Sequence, residues 1–166
     1  MPGEGSSNGW LINIGQTRIT KTKQRKVNHL LLLNFGLAAY LTGLIWTVQL
    51  VHYPGFARVE PAQFAQFHRE HSTRMSWVVL APMLLELGAA GWLAWQGAGL
   101  SQAARWGQLA LVGVAWASTF LLSVPFHNRL ARDGYNYVAI DGLVRTNWPR
   151  TLAWTARLGL LGYLMW

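Results

Sequence analysis

The chain has 166 residues, 52% of them hydrophobic and only 12% charged, where an average soluble domain carries about a quarter charged residues. It contains no cysteine, which excludes disulfides, thiolate metal ligands and a cysteine nucleophile. A formal charge of +8 would suit nucleic acid, but the basic residues crowd directly before an apolar run. That is the pattern of a membrane protein, and it argues against a nucleic-acid partner.

In chain order, residues 1–28 read as a polar and basic tail. It opens with "MPGEGSSNGW" and ends in "RITKTKQRK", with Arg18, Lys21, Lys23, Arg25 and Lys26 before the first apolar run. Such a cluster is an orientation signal and a headgroup contact. The polar opening is expected to be disordered when free and to be held by neighbouring membrane subunits.

Four apolar stretches follow. Leu30–Val51 has no charged residue, Met75–Gln96 carries Glu86 alone, Trp106–Phe126 has none, and Asn147–Trp166 carries Arg150 and Arg157. Each has about the 20 residues that a bilayer-crossing helix needs. The sequence therefore predicts an all-α integral membrane protein. Residues 29–166 form one four-transmembrane-helix bundle, with the extended basic tail in front and an extra amphipathic helix in the 1–2 connection. The first run is too long for a cleavable signal and lacks a small-residue cleavage pattern, so it is expected to stay in the mature protein.

Most tryptophans fall at the ends of these stretches, where indoles favour the membrane interface. Trp116, in mid-span, has no such explanation. Ala39 with Gly43, and Gly113 with Ala117, place small residues one turn apart for close helix packing. Basic residues are nearly balanced between the two sides. The dense N-terminal cluster favours both termini in the cytoplasm of a bacterial inner membrane.

The connections differ in chemistry. "GAGLSQAA" between spans two and three is short and bland, whereas the 1–2 and 3–4 connections hold most of the polar residues. In any four-span bundle those two share a side, which gathers His52, His68, His71, His127, Asn128 and Asn147 at one face. Only His29 sits at the other. Pro61 is well placed at a first helical position, and Phe64, Phe67, His68 and His71 then recur on one helical face. That helix either lies along the interface or runs straight into the second span. Pro54 and Pro125 are expected to end or kink spans one and three, and Asn147 to cap span four.

Glu86 and Arg157 both lie at membrane depth, where an ionisable group must be paired or hydrated. Helical rises bring them near each other, so a structural ion pair is expected.

Three chemistries compete at the polar face. His68 and His71 are spaced for a metal, although neither a zincin nor a diiron pattern is present. His52 and His127, at equivalent span ends, could clamp a haem or ligate a chlorophyll-type pigment. The nonmetal alternative uses His52 or His127 as the base for a phenolic or quinol-like substrate, with Arg150 or Arg157 on the resulting oxyanion. Trp46, Tyr53 and Trp154 would supply aromatic walls.

The order "VHYPGF" after span one, "FHNRL" after span three and "LVRTNWPRTLAWTARLGLL" into span four resembles the anthrone oxygenase-like family of small four-span membrane proteins, most of them uncharacterised and bacterial. The similarity runs roughly from Phe35 to Leu161. It carries over to His52, Pro54, His127, Asn128, Arg129, Trp148, Arg150 and Arg157. It implies the four-span fold, and oxidation of anthrones without a clear cofactor. Two functions are thus expected. The first is an accessory subunit of a larger respiratory or photosynthetic type of membrane complex, in contact with lipid and other subunits. The second is a small membrane oxidoreductase acting on a lipophilic aromatic or quinone-like substrate.

Overall fold

The computed structural model of the protein describes residues 29–165. The basic tail over residues 1–28, with its proposed subunit contacts, and Trp166 lie outside the described residues. Five helices make up the described chain: α1 (His29–Phe56), α2 (Pro61–Gln96), α3 (Gln102–Asp133), α4 (Tyr137–Thr146) and α5 (Trp148–Met165). Three of them, α1, α2 and α3, are long and apolar enough to cross a membrane.

The four long helices close into a ring. α1 packs against α2 and α5, and α3 packs against the same two. Short α4 covers one end, resting on the ends of α1 and α3. The outside of the ring is apolar: Trp77, Trp95 and Leu121 are 80%, 82% and 73% exposed. Water would not tolerate such a surface on a small domain, and lipid would.

The expected extra amphipathic helix is not a separate element. Pro61–Gln96 is one continuous helix, so the stripe of Phe64, Phe67, His68 and His71 runs straight into the second apolar stretch. Pro61 starts it without penalty, because its missing N–H would have no helical partner at that position. Inside the helix, Pro82 deprives the Val78 carbonyl of its regular partner. Tyr40 of α1 replaces it, its hydroxyl donating to that carbonyl at 3.3 Å. Gly97 then closes α2 in the left-handed region with φ of 76°. A Cβ there would press on the Arg105 guanidinium at 3.1 Å, and that guanidinium donates to the terminal carbonyls of Ala94 and Trp95.

Neither Pro54 nor Pro125 ends its helix. Each follows a π turn, Val48–His52 in α1 and Thr119–Ser123 in α3. The carbonyl that a proline ring crowds and leaves unbonded is the one four residues back. Here it belongs to Leu50 and Leu121, both inside the wide turn. One extra residue per turn makes the room, and the helix continues. The same insertion rotates everything beyond it by about 100° on the helix wheel. Tyr53 and Phe56 turn into the bundle, while Leu50 and Val51 face outward.

A buried polar layer ties the ring together at bilayer depth. Arg157 of α5 donates from Nη1 to Glu86 Oε1 of α2 at 2.7 Å, and both side chains are fully buried. Arg157 Nη2 donates to Asn34 Oδ1 of α1 at 2.6 Å and to Gln108 Oε1 of α3 at 3.1 Å. Trp154 Nε1 donates to the second carboxylate oxygen of Glu86 at 2.8 Å. Asn34 and Gln108 in turn donate to the α2 carbonyls of Ala89 and Ala90. All four long helices meet in this cluster, and every arginine nitrogen has an acceptor.

Candidate functional site

Beside that layer, towards α4, the ring encloses a cavity of about 400 Å³. Its walls are mainly apolar, with Ile45 and Val48 from α1, Val79 and Met83 from α2, Phe120 from α3 and Trp154 from α5. One end is polar, formed by Tyr53, His68, His127 and Arg150.

These four side chains form a single hydrogen-bonded chain. Arg150 Nη2 donates to Tyr53 Oη at 3.2 Å. Tyr53 Oη lies 3.0 Å from His127 Nε2, and His127 Nδ1 lies 3.1 Å from His68 Nε2. Arg150 can only donate, so Tyr53 accepts from it. In the His127 tautomer with Nε2 unprotonated, the Tyr53 hydroxyl donates to that nitrogen. Neutral His127 then carries its proton on Nδ1 and donates to His68. Ser72 closes the far end, 3.5 Å from His68 Nε2.

Arg150 is placed by a second chain of amides. Its Nε donates to Asn147 Oδ1 at 2.9 Å, and Nη1 donates to Thr119 Oγ1 of the α3 π turn at 3.3 Å. Asn147 Nδ2 donates to Gln49 Oε1 of the α1 π turn at 2.8 Å, and Gln49 Nε2 holds the Val144 carbonyl of α4 at 3.1 Å. Asn147 therefore serves the arginine with its side-chain oxygen rather than capping α5, and both π turns supply a polar group to the site. Arg150 is buried, and among the described residues no carboxylate pairs with it. It is a cation in a mostly apolar environment with only neutral acceptors, which favours an anion arriving in the cavity.

The residues singled out from sequence divide into three groups. His68, His71, His127, Asn128 and Arg150 line the cavity. His52 is half-buried but lies outside that lining, its ring packed 5.3 Å from His71. Arg157 and Glu86 also lie outside the lining and belong to the buried layer. His52 and His127 thus do not line a common cavity, and both ring nitrogens of His127 are engaged by Tyr53 and His68. Among the described residues no group of three or more His, Asp or Glu side chains is placed to hold a metal ion.

Three participants escape sequence reasoning. Tyr53 reads as an aromatic wall but is the hub of the proton chain. Gln49 and Thr119 read as ordinary residues of apolar spans, and only the π turns bring them to Arg150. No protein-family model, curated protein sequence or solved structure significantly matches the chain. The chemistry of the site has to come from its own residues.

Proposed function

We propose that this is a small integral membrane protein that binds a flat, lipophilic phenol- or quinol-type molecule and takes the proton of its hydroxyl, as the first step of an oxidation. The observation that carries this is Arg150, buried without a carboxylate partner and hydrogen-bonded to a Tyr–His–His chain at the end of an apolar cavity. A bound hydroxyl at that end gives its proton to Tyr53 Oη as Tyr53 passes its own to His127 Nε2. His127 then releases its Nδ1 proton to His68. The oxyanion left behind lies beside Arg150, an attraction that is strong where water is excluded. The bound quinol is the reductant, and molecular oxygen from the bilayer is the acceptor. Quinol and oxygen then give quinone and hydrogen peroxide: two electrons pass to oxygen, one proton comes from the second hydroxyl, and the other returns from His68, which resets the chain.

The resemblance to the anthrone oxygenase-like family supports the same substrate class, since anthrones are flat, lipophilic and acidic. Nothing in the cavity bears on an accessory-subunit role.

We further read α5 as a fourth span. Its 18 residues cover about 27 Å, its two arginines turn inward, and Leu152 and Tyr163 face outward. With both termini in the cytoplasm of a bacterial inner membrane, the site belongs to the outer leaflet.

The test uses protein in nanodiscs. Trp154 and Trp116 line the cavity, so their fluorescence reports a bound quinol. A benzoquinol should quench saturably, and its di-O-methyl ether, with no proton to give, should bind at least tenfold more weakly. Equal binding of the two would overturn the proposal. Copurification with a large complex and no quinol binding would favour the accessory subunit instead.

A further inference from the structure

The cavity wall is not equally buried all round. On α5, Arg150 and Trp154 are buried, and on α1 the lining residues are buried or half-buried. The lining residues that are themselves exposed, Ser76, Leu80, Phe120, Asn128 and Ala131, all belong to α2 and α3. The mouth therefore lies between α2 and α3, across the cavity from the Arg150–Tyr53 end. Leu80 and Phe120, 49% and 53% exposed, sit within the apolar stretches 75–96 and 106–126. That part of the mouth opens onto hydrocarbon rather than water. Asn128 and Ala131, which lie beyond those stretches, mark its other edge.

Size adds a second constraint. A cavity of about 400 Å³ is near the small end of ligand sites, which span roughly 300–1,000 Å³. It has room for a substituted ring and the first part of a chain, and a longer chain has to leave by the mouth. Ile45, Val79 and Met83 give the walls an apolar stretch, while Ser72 and Thr119 are engaged by His68 and Arg150 at the polar end and Ser76 and Asn128 are exposed at the mouth.

We infer that the ligand carries a long hydrocarbon tail that leaves the cavity between Leu80 and Phe120 and runs into the bilayer. This rests on the phenol or quinol reading of the polar end and specifies the rest of the molecule. The head sits at Arg150 and Tyr53, the first part of the chain passes Val79 and Met83, and the remainder stays in lipid. A methionine at that point suits a passage that must fit a flexible chain. The ligand enters laterally from the membrane, without crossing water.

The chain contains no cysteine, so the mouth can be addressed chemically. An L80C/F120C variant bridged by a bis-maleimide closes the lipid-facing part and leaves the Asn128 edge open. In nanodiscs, the bridged protein should still bind a tail-less benzoquinol and should lose at least tenfold in affinity for the same head with an isoprenoid tail. Equal retention of both ligands would overturn the inference. Loss of both through the bridge, with both bound before it, would also overturn it, because the head would then need the same passage. If neither ligand binds the unbridged protein, the proposed function itself fails, which is a separate outcome. Singly substituted L80C provides a second reading that does not depend on the bridge. The tailed quinol should slow its labelling by a membrane-soluble maleimide severalfold and the tail-less quinol should not; equal labelling rates with the two would contradict the exit path.

Discussion

Tyr53 takes a hydrogen bond from Arg150 and lies 3.0 Å from His127 Nε2, so it links the cation to the imidazole. Its hydroxyl can be removed with little change of shape. Tyr53→Phe is expected to keep the fold and weaken quinol binding about tenfold, close to the 1.4 kcal/mol of one lost hydrogen bond to a charged group. Titration of the variant in nanodiscs checks this. His52→Ala, by contrast, should leave binding within about twofold, because that ring lies outside the cavity. The sequence singles out His52, whereas the residue that lines the cavity is its neighbour Tyr53. On an uninterrupted helix His52 and Tyr53 differ by about 100°, and nothing in the one-dimensional pattern shows that a π turn intervenes. The depth of Arg150 was legible, since it falls in the first turns of an apolar stretch. Its lack of a carboxylate partner was not, because that depends on where every acid in the fold ends up.

At the scale of elements, the two π turns do the positioning. Each begins six residues before a proline, and together they bring Gln49, Tyr53, Thr119 and His127 to one end of the ring. The prolines are visible in the sequence and read as helix ends. What hides the true outcome is that a widened turn satisfies the same steric demand as a break, and only the surrounding packing decides between them. The same packing docks α4. Gly142 of that helix lies against Phe126 of α3, where an added Cβ would fall 2.4 Å from the ring. Phe126 adjoins His127, so the two cannot separate without moving the base. Gly142→Ala is expected to cost about 1–3 kcal/mol by overpacking, read as a lower thermal midpoint in detergent, with quinol binding weakened in parallel. An unchanged midpoint would mean that α4 is not held as described.

For the molecule as a whole, the helical composition, the apolar stretches and the nearness of Glu86 to Arg157 could be read from spacing alone. The further partners of that expected structural pair could not. Asn34 and Gln108 complete it from helices far apart in sequence, and Trp154 links it to the cavity wall. This makes it a lock for the ring rather than part of the reactive end. Glu86→Gln should be strongly destabilising, by about 3–5 kcal/mol, because it leaves Arg157 charged and buried without a counter-ion. The double replacement E86M/R157M should recover much of that loss. Chemical denaturation of the three proteins in the same detergent tests the additivity, and equal loss in the single and double variants would contradict the assignment.

The central claim is that the polar end of the cavity stabilises the ionised form of a bound hydroxyl. A lipophilic phenol whose anion absorbs at longer wavelength reports this directly. Bound to the protein in nanodiscs, it should ionise at least one pH unit below its value in protein-free nanodiscs, a shift worth about 1.4 kcal/mol. The Arg150→Met variant, folded by circular dichroism, should lose that shift. A bound phenol that stays neutral to the same pH as in lipid alone, with Arg150 intact, would contradict the account.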